Sequence, residues 1–148
     1  MTIEALYKTG VSTVSAEMTL RDVAQKMVDE HHNAFVVVDT NGSVQGLVSV
    51  QDIAAAVVPP SFKSNEALAA AMFTPEFFTE EAKSVATKTV GDVMRTDFLS
   101  VTKDADVMTI IADFLHNDLY VVPVLEDGKL LGIFTRTELR SVLLNAMK

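Results

Sequence analysis

Apolar and polar positions along this chain run through the same order twice. Leu20, Val23, Ala24, Met27 and Val28 recur at helical spacing, which predicts an amphipathic helix ending near Glu30. Thr19-Leu20-Arg21-Asp22 has the form of a capping box at its start. Two apolar runs follow, predicting strands over 34–39 and 44–48, with Asn41-Gly42 between them as a tight turn. A helix over about 50–58 is then halted by Pro59-Pro60. In the second half Val107, Ile110, Ile111 and Phe114 mark a helix behind the cap residue Asp106. Strands over 120–125 and 130–134 flank Asp127-Gly128, and a terminal helix covers about 136–147. Short extended segments, Val11 to Val14 and Leu99 to Val101, precede the two first helices.

The residues repeat as well as the pattern. Gly46-Leu47-Val48-Ser49-Val50-Gln51-Asp52 returns 86 positions later as Gly132-Ile133-Phe134-Thr135-Arg136-Thr137-Glu138. The shared order is glycine, two apolar residues, a hydroxyl, two variable residues and a carboxylate. The earlier parts align at 87 instead (Thr13 with Ser100, Leu20 with Val107), which places a one-residue gap between the helix and strand of the second copy. The organisation read from this is a helical extension over 1–10, a first unit over 11–58, a bridge over 59–88 and a second unit over 89–148. The bridge is expected to hold two helices, one Ala-rich over 65–72 and one opened by Thr74-Pro75-Glu76. Its Phe73, Phe77 and Phe78 call for burial.

Composition narrows the function. A net charge of −8 opposes binding to a nucleic-acid backbone. No apolar run reaches the roughly 18 residues of a membrane span. The absence of cysteine removes disulfides, thiol catalysis and cysteine-bound metal, and a cytoplasmic location is the expectation. No nucleophile–base pairing, H-E-x-x-H or phosphate-binding glycine loop is present, so catalysis is not expected. His31 and His32 are adjacent at a helix end, where neighbouring residues point about 100° apart, which disfavours a shared metal.

The two copies together resemble a tandem pair of CBS domains, the cystathionine-β-synthase-type or Bateman module. The resemblance rests on the paired Gly46–Asp52 and Gly132–Glu138 motifs, the openings Thr13-Val14-Ser15 and Ser100-Val101-Thr102, the lead-in Val93-Met94, and Val122-Pro123-Val124. Val37 stands opposite Pro123, Ala16 and Lys103 replace a frequent proline, and Glu138 replaces the usual Asp. The fold implied is α/β: two repeats with small sheets, related by a pseudo-twofold axis and joined by a helical bridge. A homodimer and an effector protein are the implied partners.

The function implied is binding of an adenosine-containing ligand, AMP, ADP, ATP or S-adenosylmethionine, as a regulatory signal. Asp52 would accept hydrogen bonds from the ribose hydroxyls, Ser49 and the first helical N–H groups would face a phosphate, and backbone beside Thr13 and Val14 would meet adenine. Ser100, Val101, Thr135, Arg136 and Glu138 would form the second pocket, with Arg136 and Lys103 adding positive charge. The alternative is a ligand-free dimerisation or interaction scaffold, in which Ser49/Asp52 and Thr135/Glu138 only cap helices.

Overall fold

A computed structural model describes residues 1–58, 65–72 and 74–148. The Pro59-Pro60 stop and Phe73 lie outside the described residues. The first unit runs β1 (Thr13–Val14), α1 (Leu20–Glu30), β2 (Ala34–Val38), β3 (Val44–Ser49) and α2 (Val50–Val57). The bridge carries α3 (Glu66–Met72) and α4 (Pro75–Val85), and α5 (Val90–Val93) leads into the second unit. That unit contains α6 (Val107–His116), β4 (Val121–Glu126), β5 (Lys129–Thr135) and α7 (Arg136–Met147).

β1 lies parallel to β2, which pairs antiparallel with β3. In the second unit β4 and β5 pair antiparallel, and Val101 takes the place of β1 through a parallel bridge to Val124. The helix caps match the sequence signals: Thr19 accepts from Asp22 N, Thr74 from Phe77 N and Asp106 from Met108 N. α4 lays Ala82 and Val85 against the first unit's core beside Ile53 and Val57. Phe77 is half-buried, whereas Phe78 stays 48% exposed, so the expected burial of the bridge aromatics is only partly realised.

The strand register relocates the one-residue gap. Val37 sits opposite Gly46 and Val124 opposite Gly132, so β2 and β4 correspond at 87, like the helices before them. The missing residue is in the hairpin turn. The second turn is Asp127-Gly128, with φ of 53° and 78°, the two-residue form with both central residues left-handed. The first turn is longer and is held by Asp39, whose Oδ1 accepts from the amides of Asn41 (2.9 Å) and Ser43 (3.0 Å). Val36, rather than Val37, is therefore the counterpart of Pro123.

The segments leading into each unit cross to the other. Arg95, ahead of the second unit, pairs with Leu47 on β3 through bonds of 2.8 and 2.9 Å. Lys8, ahead of the first unit, pairs with Ile133 on β5 through bonds of the same lengths. The glycines of the repeated motif make this crossing possible. A Cβ on Gly46 would lie 2.6 Å from the Arg95 carbonyl oxygen, and one on Gly132 only 2.2 Å from that of Lys8. The hairpin tips also exchange backbone bonds, Val44 N to Gly128 O (3.0 Å) and Leu130 N to Gly42 O (3.2 Å), across the pseudo-twofold axis.

Residues 1–10 form a hydrogen-bonded turn (Leu6 N to Ile3 O, 2.8 Å) instead of the expected helix. They are not an appendage either. Ile3 is fully buried in the second unit's core with Ile110, Val122 and Phe134, as Val90 is buried in the first unit's core with Val23 and Val48.

Candidate functional site

Both repeated motifs sit where a β-strand turns into a helix, and both close into capping boxes. Asp52 Oδ2 accepts from the Ser49 amide (2.8 Å) and hydroxyl (2.9 Å), while the Asp52 amide donates to Ser49 Oγ (3.2 Å). Glu138 Oε2 accepts from the Thr135 amide (2.7 Å) and from the Thr135 hydroxyl. The sequence pattern thus has a local structural use in each unit. The remaining carboxylate oxygens differ. Asp52 Oδ1 accepts from Arg95 Nε at 3.1 Å, and the Asp52 side chain is only 11% exposed. Among the described residues no hydrogen-bond partner is assigned to Glu138 Oε1.

Each motif borders a cleft between the units. The first cleft, of about 380 Å³, is bounded by Ser49, Gln51 and Asp52 from the first unit. From the second half it receives Arg95, Asp97, Phe98 and Leu99, and residues 117–121, the segment that leads from α6 into β4. The second cleft, of about 460 Å³, is bounded by Ile133, Thr135, Arg136, Thr137 and Glu138. From the first half it receives Lys8 and residues 31–34. A smaller recess of about 250 Å³ continues from it along Gly10, Val11 and Ser12. The two clefts lie back to back, sharing Ala34, Tyr120 and Val121 as walls.

The pairing of motif and opening therefore differs from the same-unit arrangement expected from sequence. Ser49 and Asp52 come together, as do Thr135, Arg136 and Glu138. Thr13 and Val14 do not line the Ser49/Asp52 cleft: Thr13 pairs with Val36, and Val14 is 3% exposed in the first unit's core. Ser100 and Val101 do not line the Thr135/Glu138 cleft, and Val101 packs into the second core. The physical reason is the crossing of the leaders, which sends residues 8–12 toward the second motif and residues 95–99 toward the first. Lys103, expected to add charge at the second pocket, instead reaches Glu126 (3.4 Å), whose carboxylate raises the lysine's pKa.

Sequence reasoning missed Lys8, Arg95, Asp97, Phe98 and Tyr120. A signal for two of them existed: Lys8 and Arg95 are 87 positions apart, in register with the repeat. The clefts also differ in charge. The first brings Asp52, Asp97 and Asp118 around Arg95. The second brings Lys8, Arg136, His31 and His32 around Glu138. Arg136 bonds to Asp118 (3.1 Å) and so spans from one cleft to the other. His31 caps α1 in the left-handed conformation (φ 57°), and His32 packs edge-on against Phe35. Among the described residues no cluster of three or more His, Asp or Glu has metal-binding geometry.

Known proteins share this fold. CBSX2, solved in complex with AMP, superposes with a TM-score of 0.76 at 22% identity, covering 99% of this chain and 98% of that one. The CBS-domain containing protein ATU1752 from Agrobacterium tumefaciens superposes with a TM-score of 0.72 at 17% identity, covering 96% and 92%. In sequence, the uncharacterized protein MJ0188 of Methanocaldococcus jannaschii is 28% identical over 129 residues, 86% of this chain. The chain spans 38% of that relative's length. The CBS domain family matches twice, over residues 3–59 and 90–145. With both halves of the chain matched, this protein belongs to the CBS domain family and carries two copies of the domain.

Proposed function

We propose that this chain is a regulatory CBS-pair module that binds an adenosine-containing nucleotide between its two units and passes the signal to a partner protein. The observation that carries the proposal is the second cleft. There Glu138 keeps one carboxylate oxygen without a hydrogen-bond partner among the described residues, at the start of α7, with Lys8 and Arg136 on the same walls. A carboxylate suits the two ribose hydroxyls, and the cations with the helix N-terminus suit a phosphate. The complex of CBSX2 with AMP supports adenine nucleotides as the ligand class to try first. A ligand bridging both units would favour one relative placement of them, which is how binding becomes a signal. Exposed Met108, Leu115 and Leu144 on α6 and α7 supply apolar surface for a homodimer or an effector.

A second reading has its own support. Both motifs are complete capping boxes, and Asp52 has both oxygens engaged, so the scaffold alternative accounts for the first motif without a ligand. Thermal unfolding against AMP, ADP, ATP and S-adenosylmethionine, with guanosine compounds as controls, separates the two. Ligand at a hundred times its Kd adds roughly 2.7 kcal/mol. At ~2–4 °C per kcal/mol this raises Tm by about 5–10 °C. A shift that disappears in Glu138→Ala supports the sensor; no shift with any adenosine compound supports the scaffold.

A further inference from the structure

We infer that the two clefts are sorted by charge: the Thr135/Glu138 cleft takes the phosphate-bearing nucleotide, and the Ser49/Asp52 cleft takes an adenosine compound without net negative charge. This deepens the nucleotide reading and rests on it. The clefts are counterparts under the internal repeat, so their differences are substitutions at matched positions. Lys8 matches Arg95, but His31 matches Asp118 and Gly10 matches Asp97.

The ion pairs decide what charge each cleft offers. In the first, Arg95 is held by Asp52, and among the described residues Asp97 has no ion-pair partner. Asp118 faces the same space and is only partly offset by Arg136, in a pair that is largely solvent-exposed. A phosphate entering there meets carboxylates and finds Arg95, the one cation among the described residues of its lining, already engaged. In the second cleft Lys8 has no ion-pair partner among the described residues, and His31 and His32 add imidazoles. Glu30, in the adjoining recess, is neutralised by Lys26 at 2.7 Å. The first cleft has a different asset in Phe98, an aromatic wall for a base that the second cleft's lining does not include, whereas Tyr120 lines both.

The test is a pair of titrations of the whole chain, with ATP and with adenosine, followed by backbone amide NMR at 49–52 and 135–138. ATP is expected to shift the 135–138 amides and leave 49–52 in place, while adenosine shifts 49–52. Lys8→Gln, a change on an exposed side chain, is expected to weaken ATP about threefold to fivefold, the size of one exposed charge contact. Adenosine's midpoint at 49–52 is expected to hold. Raising the salt concentration should likewise weaken ATP more than adenosine. If ATP shifts both stretches with one midpoint, or Lys8→Gln weakens ATP and adenosine alike, the sorting is wrong while nucleotide binding stands. If neither compound shifts either stretch, the nucleotide reading falls and the sorting falls with it.

Discussion

Replacing Gly132 by alanine tests the crossed architecture at its tightest point. The new Cβ would lie 2.2 Å from the Lys8 carbonyl oxygen and 2.6 Å from Tyr7 Cδ2. Ordinary contact needs more than a further ångström, and the closest obstacle is backbone, which no rotamer change can move aside. The leader must therefore lift from β5. That breaks the bonds Lys8 N to Ile133 O (2.8 Å) and Ile133 N to Lys8 O (2.9 Å). Two backbone hydrogen bonds are worth about 1–3 kcal/mol net. Loosening Leu6 and Tyr7 from the second core adds to this, so Gly132→Ala is expected to lose about 2–3 kcal/mol. In a chain of this size that lowers Tm by roughly 4–12 °C. Gly128→Ala is the control: nothing lies within 4 Å of its Cβ, and only the φ of +78° opposes it, at about 1–2 kcal/mol. Chemical denaturation gives the two stabilities, and hydrogen exchange reads the amides of Lys8 and Ile133. Faster exchange at those two amides in Gly132→Ala alone is the expected signature. Unchanged exchange there, with Gly132→Ala no less stable than Gly128→Ala, would refute the crossing.

Other consequences are equally direct. Ile3→Ala, although only three residues from the start, should destabilise by about 2–5 kcal/mol in denaturant titration because Ile3 is fully buried in the second core. Asp52→Ala removes the acceptor of two Ser49 bonds and should lose about 1–2 kcal/mol, whereas Arg95→Ala, at an ion pair whose arginine is 62% exposed, should lose less than about 1 kcal/mol. The Thr102 hydroxyl bonds to Asp104 and holds its carboxyl below the ordinary value. Its stabilisation is present at neutral pH and lost as pH falls through the lowered folded pKa. In Thr102→Val, an NMR titration of Asp104 should move upward toward the ordinary carboxylate value.

Much of the fold was legible in the sequence because its information is local. Helical spacing from Leu20 to Val28, the Asp127-Gly128 turn, and the Thr19, Thr74 and Asp106 caps each act over a few residues, and each forms where expected. The turn at Asn41-Gly42 falls in the expected place but is longer than the tight form its sequence suggested. What was not legible depends on long-range placement. The repeat offset changes by one, and sequence alone placed the gap before the strand; only the pairing of Val37 with Gly46 and of Val124 with Gly132 puts it in the turn. The motif glycines were visible, but not the Lys8 and Arg95 carbonyls that require them. For the same reason Ser49/Asp52 and Thr135/Glu138 were found as pairs, while the clefts beside them are bordered by residues 8–12 and 95–99 and not by the expected openings Thr13-Val14 and Ser100-Val101. No local pattern records that two leaders exchange places.

The most direct test of the central claim is calorimetric titration of the folded chain with AMP, with GMP as control and Glu138→Ala as the site variant. The account predicts saturable AMP binding, weakened at least about tenfold in Glu138→Ala, a loss of roughly 1.4 kcal/mol or more. GMP is predicted to bind far more weakly. Absence of binding by AMP, ADP, ATP and S-adenosylmethionine to a protein that unfolds cooperatively would contradict the account and leave a ligand-free scaffold.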